Sequence, residues 1–359
     1  MSNSLGPLLR RAAAGALALA AIAAPAAARA GAPPVPEAEH VPFAQRYGAV
    51  QRGGIVRAAN TAVTCRPAPR SAAGAAVCPA ARAGRPAVNG DFQMTYVDVD
   101  RDPNTYNSSR AEVRLPKGSS VSYARLYWGG NLRVGEQKPS EDNARVLVAE
   151  PGGRYQEVLA DTVVGHRVAP EADAYQASAD VTGLVRRSGP GLYTVAQLNV
   201  AMGRSAAGAW GGWTLVVAYA NPKEPLRLLS LWDGFDVLGA GREILLPGLP
   251  PDATGQVGLV AYDGDRGRTG ESLALFTGRA APALLGDAAN PRDDVLNSTI
   301  SGASGKRVPA YAHTLGYDSD VFGLGDAART GAHRIALRLT GGSDEAWAGV
   351  LFVAAGASR

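Results

Sequence analysis

The chain has 359 residues, of which 46% are hydrophobic and 19% charged, and it contains 44 glycines and 24 prolines. This composition provides for a sizeable core and excludes a disordered or coiled-coil protein. The formal charge of +4 falls to +1 when the three arginines of residues 1–30 are removed. No Lys/Arg block remains after that, so we expect no nucleic-acid partner.

Residues 1–30 predict a signal peptide that is cleaved after export. A basic pair, Arg10-Arg11, precedes the apolar run of residues 12–24, which is too short to span a bilayer, and a small-x-small cleavage site ends at Ala30. No later apolar run has transmembrane length. We therefore expect a mature chain that is secreted, extracellular or associated with the cell surface, and without a membrane span. The general secretory and twin-arginine routes both stay open.

Residues 31–90 predict an extended N-terminal segment with one strand, at residues 53–65, and a disulfide loop. Cys65 and Cys78 are the two cysteines of the chain, and they flank a segment rich in Pro, Gly and Ala. In an oxidising compartment they should form a disulfide. The alternatives are a metal pair and a nucleophilic thiol, but no His or carboxylate stands at ligand spacing.

From Asp91 onward the sequence predicts one strand after another. Residues 122–130 alternate apolar and polar side chains, and residues 144–160 predict a hairpin that turns at Pro151-Gly152-Gly153. A short helical turn follows Asp180. The segment 211–222 is apolar on both faces, as expected of a strand that is covered on both sides.

The polar link Asn221–Pro225 contains two prolines and is the best internal boundary. Beyond it the strands continue, and residues 333–340 place apolar and polar side chains on opposite faces. We predict an all-β fold, an antiparallel, jelly-roll-like β-sandwich, with a first sandwich at residues 91–222 packed on a second at 226–359. One large sandwich domain is the alternative.

Several segments resemble known proteins. "ARLYWGG", "YQASADVTGLVRRSGPGLYTVAQLNV" and "GGWTLVVAYANP" resemble the strands of carbohydrate-binding jelly rolls. "YVDVDRDPNTYNSS", "YWGG", "WDGFDV", "VAYDGDRGRTGESL", "NSTIS" and "LGYDSDVF" together resemble a family of secreted bacterial proteins known as a domain of unknown function, over residues 43–352. The resemblance implies a β-sandwich module at the cell surface or outside the cell, and it supplies no catalytic residue.

The stretch "YVDVDRDPNTYNS", residues 96–108, places Asp98, Asp100 and Asp102 at alternate positions. This spacing matches the first three ligands of an EF-hand loop, but the required glycine and final glutamate are missing and a strand precedes it. One interpretation is a solvated turn whose carboxylates accept hydrogen bonds from backbone amides. The other is a structural Ca²⁺ site, since clustered carboxylates suit a hard cation.

Two further acidic segments raise the same choice. They contain Asp263 and Asp265 in "DGDRG", and Asp318, Asp320 and Asp326 in "YDSDVFGLGD". Both are predicted to be loops at strand ends.

The sequence shows no catalytic motif. None of the four histidines has the spacing of a metal site or triad, and no G-x-S-x-G occurs. Glu112, Glu157 or Glu271 could in principle form the carboxylate pair of a glycosidase, but exposed polar positions on strands are the favoured explanation for each. We therefore expect a protein that is not an enzyme.

Tryptophans beside glycines suggest a ligand surface. Trp210 and Trp213 flank two glycines, and Trp128 precedes two more, so flat rings lie next to bare backbone where a sugar could stack. Packing in the core is the alternative for all three.

These features predict a secreted, non-enzymatic binding or structural module. The expected ligand is a glycan or another polymer of the cell envelope. The alternatives are a polysaccharide hydrolase or lyase on the same scaffold, and a protein-binding subunit of a surface assembly that pairs through exposed strand edges.

Overall fold

The computed structural model describes residues 42–67, 77–169, 172–239, 241–247, 254–277, 281–302, 305–325, 334–342 and 346–357. The predicted export signal, His40, His333 and Asp326 lie outside these ranges. The chain divides into two units, Met1–Pro33 and Pro34–Arg359, and every described residue belongs to the second.

Twenty strands and two short helices make up the described regions. The helices are α1 Val77–Arg82 and α2 Thr182–Ser188, and 3-10 turns occur at Asn89–Asp91 and Ser140–Asp142. The strands are β1 Ala44–Thr61, β2 Val63–Cys65, β3 Met94–Tyr96, β4 Ser108–Val113, β5 Ser120–Asn131, β6 Arg145–Ala149, β7 Tyr155–Leu159, β8 Thr162–Ala169, β9 Ala172–Asp180, β10 Gly191–Ala196, β11 Gly211–Ala220, β12 Leu226–Val237, β13 Arg242–Pro247, β14 Gly255–Tyr262, β15 Ser272–Phe276, β16 Ala283–Leu285, β17 Arg307–Val308, β18 Tyr317–Gly323, β19 Arg334–Thr340 and β20 Trp347–Gly356. No helix in these regions is long and apolar enough to cross a membrane.

The strands pair antiparallel in sheets of nine, five, four and two strands, and the predicted all-β sandwich is confirmed. The nine-stranded sheet has the order β18-β14-β20-β12-β1-β11-β5-β9-β8. The five-stranded sheet is β17-β4-β10-β6-β7, the four-stranded sheet is β13-β19-β15-β16, and β2 pairs with β3. Strands from both sides of the predicted boundary at residue 222 therefore share the largest sheet, and the division into two domains stays a prediction.

The features predicted from short segments of the sequence are confirmed. β6 and β7 form the predicted hairpin, and α2 follows Asp180. β11 is buried along nearly its whole length. β19 buries Ile335, Leu337 and Leu339 on one face. The first strand is the exception, because β1 begins at Ala44, nine residues before the predicted start.

Three clusters of buried apolar side chains hold the sheets together. The first lies between the β11-β5-β9 side of the nine-stranded sheet and the five-stranded sheet. The second joins β14 and β20 to the four-stranded sheet. The third contains side chains from both halves of the nine-stranded sheet. Tyr127 and Val216 come from β5 and β11, and Tyr262 and Phe352 come from β14 and β20.

The third cluster requires the nine-stranded sheet to fold back on itself. Thr214 Oγ1 on β11 and Tyr317 OH on β18 share a hydrogen bond of 2.7 Å. These strands stand five positions apart in the strand order, which is about 24 Å in a flat sheet. Tyr127 on β5 likewise donates to Asp233 on β12 at 2.9 Å. The two halves of the sheet therefore face each other across the third cluster.

The Cys65–Cys78 disulfide is confirmed, and it generates a stability prediction. The bond closes a loop with a sequence separation of 13 residues. Replacing both cysteines with alanine should lower the free energy of unfolding by about 3 kcal/mol, because the unfolded chain regains the entropy of the open loop. Guanidinium unfolding followed by circular dichroism measures the loss. Reduced wild-type protein should lose the same amount, and an unchanged midpoint in both samples would contradict the prediction.

Candidate functional site

A groove crosses the outer face of the five-stranded sheet. Arg110 on β4, Thr194 on β10, Ala149 on β6 and Tyr155 on β7 are direct neighbours in register and form one row across four strands. Ala111, Val195 and Val148, which adjoin the first three in sequence, and Val158, three positions after Tyr155, belong to the first core cluster, so strand alternation turns the row outward. The row is the floor of a cavity of about 710 Å³.

Two loops form the walls of this groove. Asp100 and Asp102 come from the acidic stretch that follows β3, and Glu150 to Arg154 come from the turn between β6 and β7. Tyr155 OH donates to Asp100 Oδ2 and thereby ties one wall to the floor. The groove is open to solvent, and the exposed Arg154 stands at its edge.

The carboxylates of the acidic stretch accept hydrogen bonds from their own loop. Asp98 accepts from Ser108 Oγ at 2.7 Å, Asp100 from the amide of Asp102 at 2.8 Å, and Asp102 from the amide of Asn104 at 2.9 Å. The contacts of Asp100 and Asp102 with backbone amides are those that the turn interpretation expects. Within the described regions, no group of three or more His, Cys, Asp or Glu side chains is placed to hold a metal ion. The Ca²⁺ alternative at these three residues stays a prediction.

Asp100 and Tyr155 are held in fixed protonation states. Burial raises the pKa of Asp100, but hydrogen bonds from Tyr155, the Asp102 amide and Thr105 outweigh it and leave the pKa below its ordinary value. Burial and the neighbouring Asp100 raise the pKa of Tyr155. At neutral pH the groove therefore presents an ionised Asp100 hydrogen-bonded to a neutral phenol.

The expectation that tryptophans form a ligand surface is wrong. Trp128 and Trp210 have no exposed surface and Trp213 is 1% exposed. Trp128 donates its indole N–H to Asn143 O and Trp213 donates to Ser109 Oγ, both at 2.9 Å. A sugar ring therefore has no access to them, and packing in the core is the correct interpretation.

The glycines beside these rings allow neighbouring strands to approach each other closely. Gly130 and Gly211 are opposite each other on β5 and β11, and a Cβ on Gly211 would lie 3.1 Å from Cα of Gly130 and from a methyl of Val200. The bare backbone next to each tryptophan is thus covered by the protein's own chain.

The other two acidic segments differ from each other. Asp263 lies after β14 as expected, where it accepts from Asn89 Nδ2 at 2.8 Å. Asp318 and Asp320 lie inside β18 and are fully buried, so their placement in a strand-end loop was wrong. Their Oδ1 atoms bind a neighbouring segment, since Asp318 accepts from the amide of Thr299 and Asp320 from Thr299 Oγ1.

Asp318 and Asp320 are buried carboxyls of raised pKa. Burial raises the pKa of Asp318 well above its ordinary value, and the charge of Asp320 adds to this. Burial also raises the pKa of Asp320, although Arg57 and hydrogen bonds from Ser301 and Thr299 oppose it. The Oδ2 atoms of both have no hydrogen-bond partner. A Cβ on Gly264 would lie 2.6 Å from Asp318 Oδ2 and closer still to the carbonyl oxygen of Leu296.

The remaining titratable candidates do not come together. Glu112 on β4 pairs with Arg114, Glu157 on β7 pairs with Arg145, and Glu271 is fully buried before β15. Burial and Arg266 lower the pKa of the buried His313 to about 4. None of these arrangements resembles a triad or an exposed carboxylate pair.

The floor of the groove was missed in the sequence. Arg110, Thr194 and Tyr155 occupy polar positions of alternating strands, which is visible, but their alignment depends on the order and register of four strands. The Pro-Gly-Gly turn was recognised, and it contributes a wall.

Comparison with known proteins leaves the family open. No family model matches the chain, and no curated protein does. The resemblance to a domain of unknown function stays a prediction. Among solved structures, PNGase F, a glycosylasparaginase from Flavobacterium meningosepticum, is similar at 13% identity over 73% of this chain and 95% of its own, with a TM-score of 0.24. A likeness at this level supports no argument about function.

The buried Asp318 generates a prediction of pH-dependent stability. Because folding raises its pKa, the protonated carboxyl stabilises the fold fully below the ordinary carboxyl pKa of about 4, and this contribution is lost as pH rises through the raised value. Asp318→Asn keeps the acceptor for Thr299 and cannot ionise. The difference in free energy of unfolding, variant minus wild type, should gain more than about 1 kcal/mol between pH 5 and pH 8.

Urea unfolding of both proteins at each pH measures this gain. Taking the difference between variant and wild type cancels the opposing pH dependence of His313. Asp142→Asn is the matched control, since Asp142 is exposed, and it should show no gain. An equal difference at the two pH values would rule out an ionising Asp318.

Proposed function

We propose that this protein is a secreted, non-enzymatic module that binds a glycan or another hydroxyl-rich polymer of the cell envelope in the groove of the five-stranded sheet. The observation that carries the proposal is the outward row Arg110–Thr194–Ala149–Tyr155 between two polar loops. A row across four strands is about 14 Å long, which accommodates more than one sugar ring.

The polar groups of the groove suit sugar hydroxyls, which both donate and accept hydrogen bonds. The carboxylates of Asp100 and Asp102 accept, and the guanidinium groups of Arg110 and Arg154 donate. The ring of Tyr155 adds a flat apolar surface. Tyr155 is already held by Asp100, so binding loses little side-chain entropy there.

Binding without catalysis is favoured by the electrostatics of the groove. A glycoside hydrolase needs a carboxylic acid whose pKa is raised so that it can protonate the leaving group. In this groove Asp100 has a lowered pKa and stays ionised. The carboxyls of raised pKa, Asp318 and Asp320, are fully buried and line no part of the groove.

Location outside the cytoplasm is supported by two independent features. The first thirty residues have the pattern of an export signal. The Cys65–Cys78 disulfide is of a kind that persists in oxidising compartments.

The test is a binding assay against insoluble polysaccharides and purified cell envelope, with calcium or with chelator, that records bound protein and released sugar. Wild type should bind and release none. Arg154→Ala and Tyr155→Phe should each weaken binding about three- to tenfold, because the first removes a donor to the ligand and the second removes the hydrogen bond that holds the ring of Tyr155 against Asp100. Arg187→Ala, an exposed arginine on α2, is the matched control and should bind as wild type.

Three outcomes would change the assignment. Released soluble sugar would favour the hydrolase or lyase alternative. Absence of binding to every polymer would favour a protein-binding subunit of a surface assembly. Undiminished binding by both groove variants would place the ligand elsewhere.

Binding that disappears in chelator would support Ca²⁺ at Asp98, Asp100 and Asp102.

A further inference from the structure

A second cavity lies where the loop after β4 meets β1 and β11. It has a volume of about 470 Å³ and is lined by Arg57, Arg114, Val56, Leu115 and Tyr219. An adjoining cavity of about 420 Å³ shares Val56 and Tyr219 and adds Arg227. Among the described residues that line either cavity there is no Asp or Glu, so the charged side chains of both linings are cationic.

Arg57 is the unusual member of this set because it is a buried cation with unused donors. It lies on β1 and is 2% exposed. Nη2 donates to the carbonyl oxygen of Ser301, whereas Nε and Nη1 have no hydrogen-bond partner. A buried donor without a partner costs about 1–3 kcal/mol, and more when it is charged. Such an arrangement is unfavourable unless another group satisfies it.

The other two arginines already have acidic partners. Arg114 Nη2 lies 2.8 Å from Glu112 Oε2, and Arg227 Nη1 lies 2.9 Å from Glu224 Oε2. Arg57 forms no ion pair within 4 Å among the described residues; Asp320 acts on it from a greater distance.

A second, half-buried guanidinium adds to the positive potential near Arg57. Arg307 on β17 donates through Nη2 to Tyr311 O, and its Nη1 has no partner. Burial lowers the pKa of Arg57 to about 10, an effect that Asp320 opposes and Arg307 increases. Arg57 therefore keeps its charge at neutral pH.

We propose that the cavity at Arg57 binds an oxyanion, the carboxylate or phosphate group of a ligand, with Arg57 as the main positive charge and Arg114 as the exposed hydrogen-bond donor. Guanidinium groups form strong charge-assisted hydrogen bonds with both kinds of oxyanion. The apolar lining from Val56 and Leu115 suits the remainder of a small organic acid. This site is separate from the groove of the five-stranded sheet and does not depend on the function proposed there.

The test uses the full-length protein with inorganic phosphate and with glucuronate, each titrated at constant ionic strength while the melting temperature is recorded. A ligand that binds only the folded state raises the melting temperature saturably. Wild type should show this rise with at least one of the two anions. Sodium chloride and glucose should give none.

The variants separate binding from folding. Removing Arg57 alone would leave Asp320 buried without a counter-charge, so the informative variant is Arg57→Met combined with Asp320→Asn. It should weaken binding by about tenfold or more, and Arg114→Ala should weaken it severalfold. Arg187→Ala is the matched control with unchanged affinity.

The two anions identify the source of the ligand. Tighter binding of glucuronate supports an acidic sugar, and tighter binding of phosphate supports a phosphorylated ligand or free phosphate. Absence of a saturable shift with either anion would overturn the proposal. An equal shift in wild type and in folded Arg57→Met/Asp320→Asn protein would also overturn it.

Discussion

Strand β1 hydrogen-bonds along its first half to β12 and along its second half to β11, and the rest of the architecture depends on this change of partner. The change occurs at Gly53, whose φ of 152° and close approach to the carbonyl of Tyr219 leave no room for a Cβ. Because one strand belongs to both halves, the nine-stranded sheet is continuous. One face of this sheet is covered by the five- and four-stranded sheets, and the other is covered because the sheet folds back on itself around the third apolar cluster.

Folding back also buries charge between the two halves. Arg125 is 2% exposed, pairs with Asp161 and lies 3.6 Å from Asp233, which in turn binds Arg46 of β1. Buried ion pairs contribute little net stability, since desolvation offsets their attraction, but a mispaired charge is strongly unfavourable. We interpret these contacts as fixing how the halves meet. Asp318, Asp320 and Arg57 are also buried, but they have no comparable ion pairs among the described residues, which is why their electrostatics are unusual.

The two proposed binding sites have different physical origins. The groove arises from the outward face of an ordinary sheet, where register aligns polar side chains and two loops add walls, so it presents donors and acceptors to solvent. The cavity at Arg57 lies beside β1, four residues after its change of partner at Gly53, where a cation is buried in the interior. The first suits hydroxyl groups and the second suits an oxyanion.

The sequence by itself determined the features that depend on residues close together in the chain. Strand periodicity, turn residues and the number of cysteines were enough for the all-β class, the β6–β7 hairpin, helix α2, the buried face of β19 and the disulfide. Alternation shows that one face of a strand is covered, but it does not show what covers it. Trp210 beside two glycines and Asp318 in a D-x-D segment therefore looked exposed in sequence, although distant strands bury both. The alignment of Arg110, Thr194 and Tyr155 and the isolation of Arg57 were likewise decided only by the tertiary structure, because each depends on the order in which strands far apart in sequence come together.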